Sequence, residues 1–255
     1  MPFARTVLHR PEVDSTSGLA RSLILQGVDE LPLLVWADRQ TLGRGQRDRS
    51  WYSDDGSLTF TVAIDPAAHG LRVDQEPRLS MVAALAVIHA IEDRGWAIPG
   101  LGIRWPNDVE ASGGKLGGIL PERIEVPGGS PSHRLLVGIG LNVFTRLDRA
   151  PMDVGRMAAS LATLGAGPLD GSSMPGLLAA ILTHLGRELG RLKDDAPDQA
   201  REWDDRNLLR DQAVRIDLGP RTLTGRVTSI DPLGALCVDD GSEVHRLFGG
   251  RVLRS

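Results

Sequence analysis

A single cysteine, Cys237, among 255 residues excludes an intramolecular disulfide framework and fits a reducing compartment. Its neighbours Leu236 and Val238 read as a strand, which makes the thiol a core residue rather than a nucleophile. No apolar run is long enough to span a bilayer; the longest, residues 79–91, is interrupted by Ser80 and His89. No secretory leader is legible after Met1, where charged residues and Pro11 break any apolar stretch. There is no basic excess: a formal net charge of −4 leaves no electrostatic footprint for nucleic acid. None of the six histidines stands with cysteines or carboxylates at zinc-ligand spacing, and no repeat or low-complexity tract is present. The absences point to a cytoplasmic globular protein without membrane or nucleic-acid partners. A composition of 41% hydrophobic and 24% charged residues suits that class.

The patterning predicts a helix from Ser15 or Thr16 to about residue 26, with Leu19, Leu23 and Gln26 on one face and a hydroxyl cap. Strands are expected at 33–37, 58–64, 103–105, 116–122 and 135–143. Their hairpin-like spacing favours a mixed or antiparallel sheet over a doubly wound parallel one. Residues 79–91 read as a buried helix ended near Gly95, with His89 a structural residue. Residues 148–171 are loose, with Ala159-Ser160-Leu161 a docking turn. Helices follow at 175–192, with Leu178, Leu182, Leu185 and Leu189 on one face, and at 197–208. Then the character changes: Val214, Ile216 and Leu218 alternate, and Gly219-Pro220, Asp231-Pro232 and Asp239-Asp240-Gly241 punctuate short strands, a small β-barrel signature. The expected domains are 1–210 and 211–255.

Two segments carry chemistry. In Arg104-Trp105-Pro106-Asn107-Asp108, Pro106 pre-sets a turn that Asn107 and Asp108 close. A second turn is expected at Gly113–Gly114, placing Lys115 at the mouth of an apolar strand whose glycines admit another molecule close to the backbone. The other segment runs from Gln40 through Gly43-Arg44-Gly45-Gln46-Arg47 and Arg49 to Trp51. A Gly-Arg-Gly loop combines exposed N–H groups with guanidinium forks and suits phosphate or carboxylate recognition.

Together these segments resemble the biotin–protein ligases. Asp14-Ser15-Thr16-Ser17 stands where that family has Ser-Thr-Asn, and Gln40, Gly43 to Gln46 and Trp51 match its Gln, Gly-Arg-Gly-Arg and Trp. Arg104 to Asp108 match Lys/Arg-Trp-Pro-Asn-Asp, Lys115 to Leu120 match Lys-Leu-Ala/Gly-Gly-Ile-Leu, and Gly138 to Val143 match Gly-Ile-Gly-Leu-Asn-Val. Weaker resemblance continues through residues 231–236 and 249–254 to the family's C-terminal barrel. The resemblance implies an α+β fold, class II synthetase-like, with a mixed or antiparallel sheet, flanking helices and a C-terminal SH3-like barrel. It implies ATP-dependent ligation of biotin to a lysine of a biotin carboxyl carrier protein domain through biotinyl-5′-AMP, with Mg²⁺, by a monomer or homodimer. A lipoate or octanoate ligase or transferase, or a non-catalytic biotin sensor, are the rival readings. Only about a dozen residues precede Asp14, so a form without the DNA-binding domain of some relatives is expected.

By the same resemblance Lys115 and Arg44 are catalytic. Biotin is held by Ser15, Thr16, Ser17, Gln40, Gly43, Arg44, Lys115, Gly138 and Gly140. The nucleotide is held by Arg44, Gly45, Gln46, Arg47, Arg49, Trp51, Arg104, Trp105, Asn107, Asp108, Lys115 and Asn142. Trp51 and Trp105 also read as packing residues, Asn107 and Asp108 as turn closers, and no side chain is assigned to metal. Ser17 and Gln46 depart from the family's Asn and second Arg. Because every adenylation motif lies before Phe144, the C-terminal segment is expected to serve transfer to the carrier more than adenylate synthesis.

Overall fold

The computed structural model describes residues 3–46, 49–126, 133–155, 157–167 and 169–253. The first part comprises β1 (Thr6–Val13), α1 (Thr16–Leu25), β2 (Leu33–Gln40), β3 (Ser57–Ile64), α2 (Leu79–Glu92), β4 (Gly102–Arg104), β5 (Asp108–Ala111), β6 (Gly114–Glu125) and β7 (His133–Asn142). A short α3 (Met152–Gly155), the long α4 (Ser173–Lys193) and α5 (Pro197–Asp205) follow. Last come β8 (Ala213–Asp217), β9 (Thr222–Ile230), β10 (Leu236–Asp239), β11 (Val244–Leu247) and β12 (Arg251–Leu253).

The first sheet has the order β1-β2-β3-β7-β6-β5-β4; β1 and β2 are parallel and the remaining pairs antiparallel, so the expected mixed sheet is present. Strand alternation sends Leu33 and Val35 to one face, where Ala20 and Ile24 of α1 cover them. Leu34, Phe60 and Val62 face the other way, into the core beneath α2. α2 is buried almost all round because it lies between this sheet and α4.

Three expectations need correction. β1 was not foreseen: its residues are largely exposed and Pro11 interrupts the pattern, but an edge strand tolerates a residue without an N–H. On α1 the buried stripe is Thr16, Ser17, Ala20 and Ile24 rather than Leu19 and Leu23, which sit partly buried at its margin. The last helix ends at Asp205 instead of 208, since Ile103 N donates to Arg206 O and Leu208 N to Ile103 O, drawing the chain onto β4. The α4 leucines are buried as expected.

The second sheet is antiparallel, in the order β11-β10-β9-β8-β12. Its apolar residues Ile216, Val227, Ile230 and Val238 join the same cluster as Trp203, Leu209 and the first sheet, giving one continuous core. Cys237 is buried on β10.

Candidate functional site

Residues 105–107 turn the chain between β4 and β5, pairing Arg104 with Asp108. Asn107 Nδ2 donates to Ile119 O at 2.8 Å, and Ile119 N donates to Asn107 O at 2.9 Å, which clamps the turn to β6. The next turn is centred on Ser112 and Gly113, one residue earlier than expected; both have positive φ, 50° and 80°, as a two-residue hairpin loop requires. Lys115 is therefore the second residue of β6, and a bulge after Val109 sets it diagonally across from Asp108. Its Nζ lies 2.6 Å from Asp108 Oδ1 and 5.6 Å from the ring centroid of Trp51.

Trp51 lies flat on glycines: a Cβ on Gly140 would stand 2.5 Å from its Cε2, so any side chain there would expel the ring. The Gly-Arg-Gly loop folds back as a miniature hairpin, with Gly45 N donating to Arg49 O, Trp51 N donating to Gly43 O, and Arg44 bridged to Ser50. Arg44 stands between the central cavity and an outer cleft, its Nη2 3.7 Å from Glu122 Oε2.

Beside this loop the start of α1 meets the sheet, with Gln40 Nε2 3.2 Å from where a Cβ on Gly43 would stand. Ser15 is the N-cap, its Oγ accepting from Gly18 N. Gln40 Oε1 accepts from Thr16 N at 2.7 Å and from Thr16 Oγ1 at 3.1 Å. The hydroxyls of Thr16 and Ser17 both meet that of Thr61, at 2.9 and 3.0 Å. Ser17 Oγ also faces Gly138, where a Cβ would come within 2.8 Å. The buried hydroxyls and the part-buried Gln40 amide form one set of donors and acceptors.

These pieces wall one cavity of about 520 Å³. It gathers Ser15, Thr16, Ser17, Gln40, Arg44, Gly45, Gln46, Arg49, Trp51, Asn107, Asp108, Lys115, Gly138, Gly140 and Asn142. Asn142 lines it while its Nδ2 donates to Lys115 O and Ala159 O, tying β7, β6 and the expected docking turn together. Three of the sequence candidates do not line this cavity. Gly43 borders the outer cleft, Arg104 lies 3.8 Å from Glu110, and Trp105 is buried with its Nε1 donating to Gly234 O in the turn between β9 and β10. Arg47 lies outside the described residues. Sequence reading missed Thr61, whose threonine looks like any strand hydroxyl. It also missed Arg251 on β12, which lines the cavity from the second sheet. Part of the C-terminal segment, expected to serve transfer to the carrier more than adenylate synthesis, thus lies on the cavity wall. The two sheets meet at the cavity because they share a core.

Among the described residues no group of three or more histidine, cysteine, aspartate or glutamate side chains is arranged to hold a metal, and no helix is long and apolar enough to cross a membrane.

Residues 11–142 match the biotin/lipoate A/B protein ligase family. The biotin–[acetyl-CoA-carboxylase] ligase of Mycobacterium tuberculosis is 30% identical over 244 residues, 95% of this chain and 86% of that protein. The bifunctional ligase/repressor BirA of Bacillus subtilis is 30% identical over 64% of this chain and 48% of its own length, so the match spans about half of that relative. The biotin protein ligase of Aquifex aeolicus, solved in complex with biotin and ATP, superposes with a TM-score of 0.81. It is 25% identical, over 98% of this chain and all of that one.

Proposed function

We propose that this chain, which belongs to the biotin/lipoate A/B protein ligase family, joins biotin to a lysine of a carrier domain by way of biotinyl-5′-AMP. The observation that carries the reading is the Lys115–Asp108 pair, set in a cavity walled also by the hydroxyl–amide cluster and the Arg44 loop. In the first step a carboxylate oxygen of biotin attacks the α-phosphorus of ATP and pyrophosphate leaves. Both reactants are anionic, so a preorganised cation between them lowers the barrier. Lys115 supplies that charge, Asp108 holds its Nζ beforehand, and Arg44, Gln46 and Arg49 line the phosphate side. Thr16, Ser17 and Gln40 receive the ureido ring, and Thr61 orients their hydroxyls. In the second step the carrier lysine attacks the acyl carbon and AMP leaves, with Asp108, a carboxylate on the cavity wall, taking its proton.

Mg²⁺, when bound, offsets triphosphate charge. The cavity wall would offer such an ion few side chains, since its carboxylate Asp108 is already paired with Lys115, so the nucleotide itself would hold most of it. The carrier is a biotin carboxyl carrier domain and the working compartment the cytoplasm. The test is incubation with biotin, ATP, Mg²⁺ and a carrier domain, with mass gain on the carrier as readout, alongside biotin-dependent pyrophosphate exchange. Absence of both mass gain and exchange would overturn the reading. Lipoate- or octanoate-dependent gain without a biotin-dependent one would transfer it to the rival substrate.

A further inference from the structure

A further cleft, of about 540 Å³, opens between α5 and the turn that joins β9 to β10 and shares no lining residue with the Lys115 cavity. Arg78, immediately before α2, lines it and is 3% exposed. Its Nη1 donates to Pro232 O and lies 3.0 Å from Asp195 Oδ1, but its Nε and Nη2 are buried without a hydrogen-bond partner. Those two nitrogens form the side of a guanidinium that grips a carboxylate with two parallel hydrogen bonds. Trp203, 1% exposed, lines the same cleft, and its Nε1 is also buried and unpartnered. Leaving such donors unmade carries a desolvation penalty, larger for a charged group, so buried donors of this kind call for a ligand or ordered water.

The carboxylates already at the cleft are committed elsewhere. Asp195 accepts from Gln75 and Arg72 besides facing Arg78, and Asp204 accepts from Arg210 and from Ile230 N. Arg201 adds a third guanidinium-bearing residue to the lining, while Ala200, Ile230 and Leu233 make much of the rest apolar.

We propose that this cleft is a second binding site, for a small carboxylate with an apolar body. The carboxylate lies against the Nε–Nη2 edge of Arg78 and accepts from Trp203 Nε1, and the apolar body lies along Ala200, Ile230 and Leu233. Residues 231–234 rest on Arg78, since a Cβ on Gly234 would meet Arg78 Cγ at 3.1 Å, and Leu233 in that turn is 49% exposed. Entry therefore lifts this turn. Trp105 Nε1 donates to Gly234 O in the same turn, two residues from Asn107, so occupancy also bears on the Lys115 cavity.

Titration calorimetry of the full chain with hexanoate, acetate and inorganic phosphate tests the proposal, with biotin present throughout to occupy the first cavity. Saturable hexanoate binding is expected, at least about 10-fold tighter than acetate, with none for phosphate. Trp203→Phe removes one N–H and should weaken hexanoate about 3- to 10-fold. Ala200→Leu, which fills the cleft and leaves Arg78 in place, should abolish binding at an unchanged melting temperature. Arg78→Met should abolish it too, but its folding is at risk, so Trp203→Phe and Ala200→Leu are the deciding variants. No saturation up to about 10 mM hexanoate would show that the donors hold only water. Equal binding by phosphate, or hexanoate binding that Ala200→Leu leaves intact, would equally overturn the site. The Ala200→Leu comparison does not depend on the ligase reading.

Discussion

Lys115 Nζ stands 2.6 Å from Asp108 Oδ1, on neighbouring strands, with both side chains about three-quarters shielded from solvent. The pair holds the cation in place before any anion arrives. It also links the Trp-Pro-Asn-Asp turn to the Lys-Leu-Gly-Gly strand, two motifs that are only segments in the sequence.

Lys115→Ala is expected to lower adenylate formation by about 10²–10³-fold, the usual loss when one preorganised charge is removed, with the fold retained. Asp108→Asn should also slow the step. The double variant should be little worse than Lys115→Ala, because the two act as a unit. Pyrophosphate exchange and circular dichroism measure this; near-normal exchange in folded Lys115→Ala would place the catalytic charge elsewhere.

Gln46 lines the cavity where relatives in the resemblance carry arginine. The missing charge-assisted contact is worth roughly 1.5–3 kcal/mol when well aligned. Gln46→Arg should therefore retain biotinyl-adenylate ~10- to 100-fold longer. Dissociation kinetics of the preformed adenylate provide the check, and unchanged or faster release from the variant would sink the idea.

Arg251 brings a cation from β12 to the cavity. Arg251→Ala should reduce adenylate formation by about 3- to 10-fold through a raised KM for ATP, with little change in the KM for biotin. A defect confined to carrier transfer would return the C-terminal sheet to the role expected from sequence.

Trp105 is 3% exposed and donates to Gly234 O in the turn between β9 and β10. Trp105→Phe leaves that carbonyl unpaired and should destabilise the protein by about 1–3 kcal/mol in urea unfolding, with the KM for ATP nearly unchanged. A large rise in that KM at full stability would make the indole a nucleotide contact after all.

His89, partly exposed on α2, pairs with the fully buried Glu188 of α4. The hydrogen bond with Glu188 raises His89 above its ordinary value against desolvation, and Glu202 at 2.5 Å adds to the rise. Arg187 Nη2, 2.9 Å from Nδ1, competes for that nitrogen, but Arg187 is half exposed and can withdraw. Desolvation pushes Glu188 up, but hydrogen bonds from His89 and Gln199 and the charge of Arg191 prevail and hold its carboxyl at about 2. The histidine's contribution is thus complete below about pH 6.5 and lost as pH rises through its raised folded value. The glutamate's is complete above its ordinary value and lost as pH falls towards about 2. His89→Gln should cost more stability at about pH 5.5 than at about pH 9. Equal losses at both would show that the ring is neutral in the folded protein.

The sequence by itself determined what is local or periodic. Ser15 caps a helix because a hydroxyl there meets an orphan N–H, and the 3.6-residue spacing of Leu178, Leu182, Leu185 and Leu189 marks the buried face of α4. Pro106 sets one turn, and Gly113, at a φ of 80°, serves the next. The order of the motifs pointed to the family because each occupies a strand end or loop that this backbone creates.

Tertiary structure decided whatever depends on which surfaces meet. Thr61 lies 44 residues from Ser17, yet their hydroxyls are 3.0 Å apart because α1 packs across β3. Trp105 and Gly234 are separated by 129 positions, and Arg251 reaches the cavity only because the second sheet shares the core of the first. β1 carries too little apolar pattern to announce itself and exists because β2 offers an edge to pair with. Local sterics restrict each residue to a few conformations, but long-range contacts follow from the collective burial of apolar surface, which no single segment encodes.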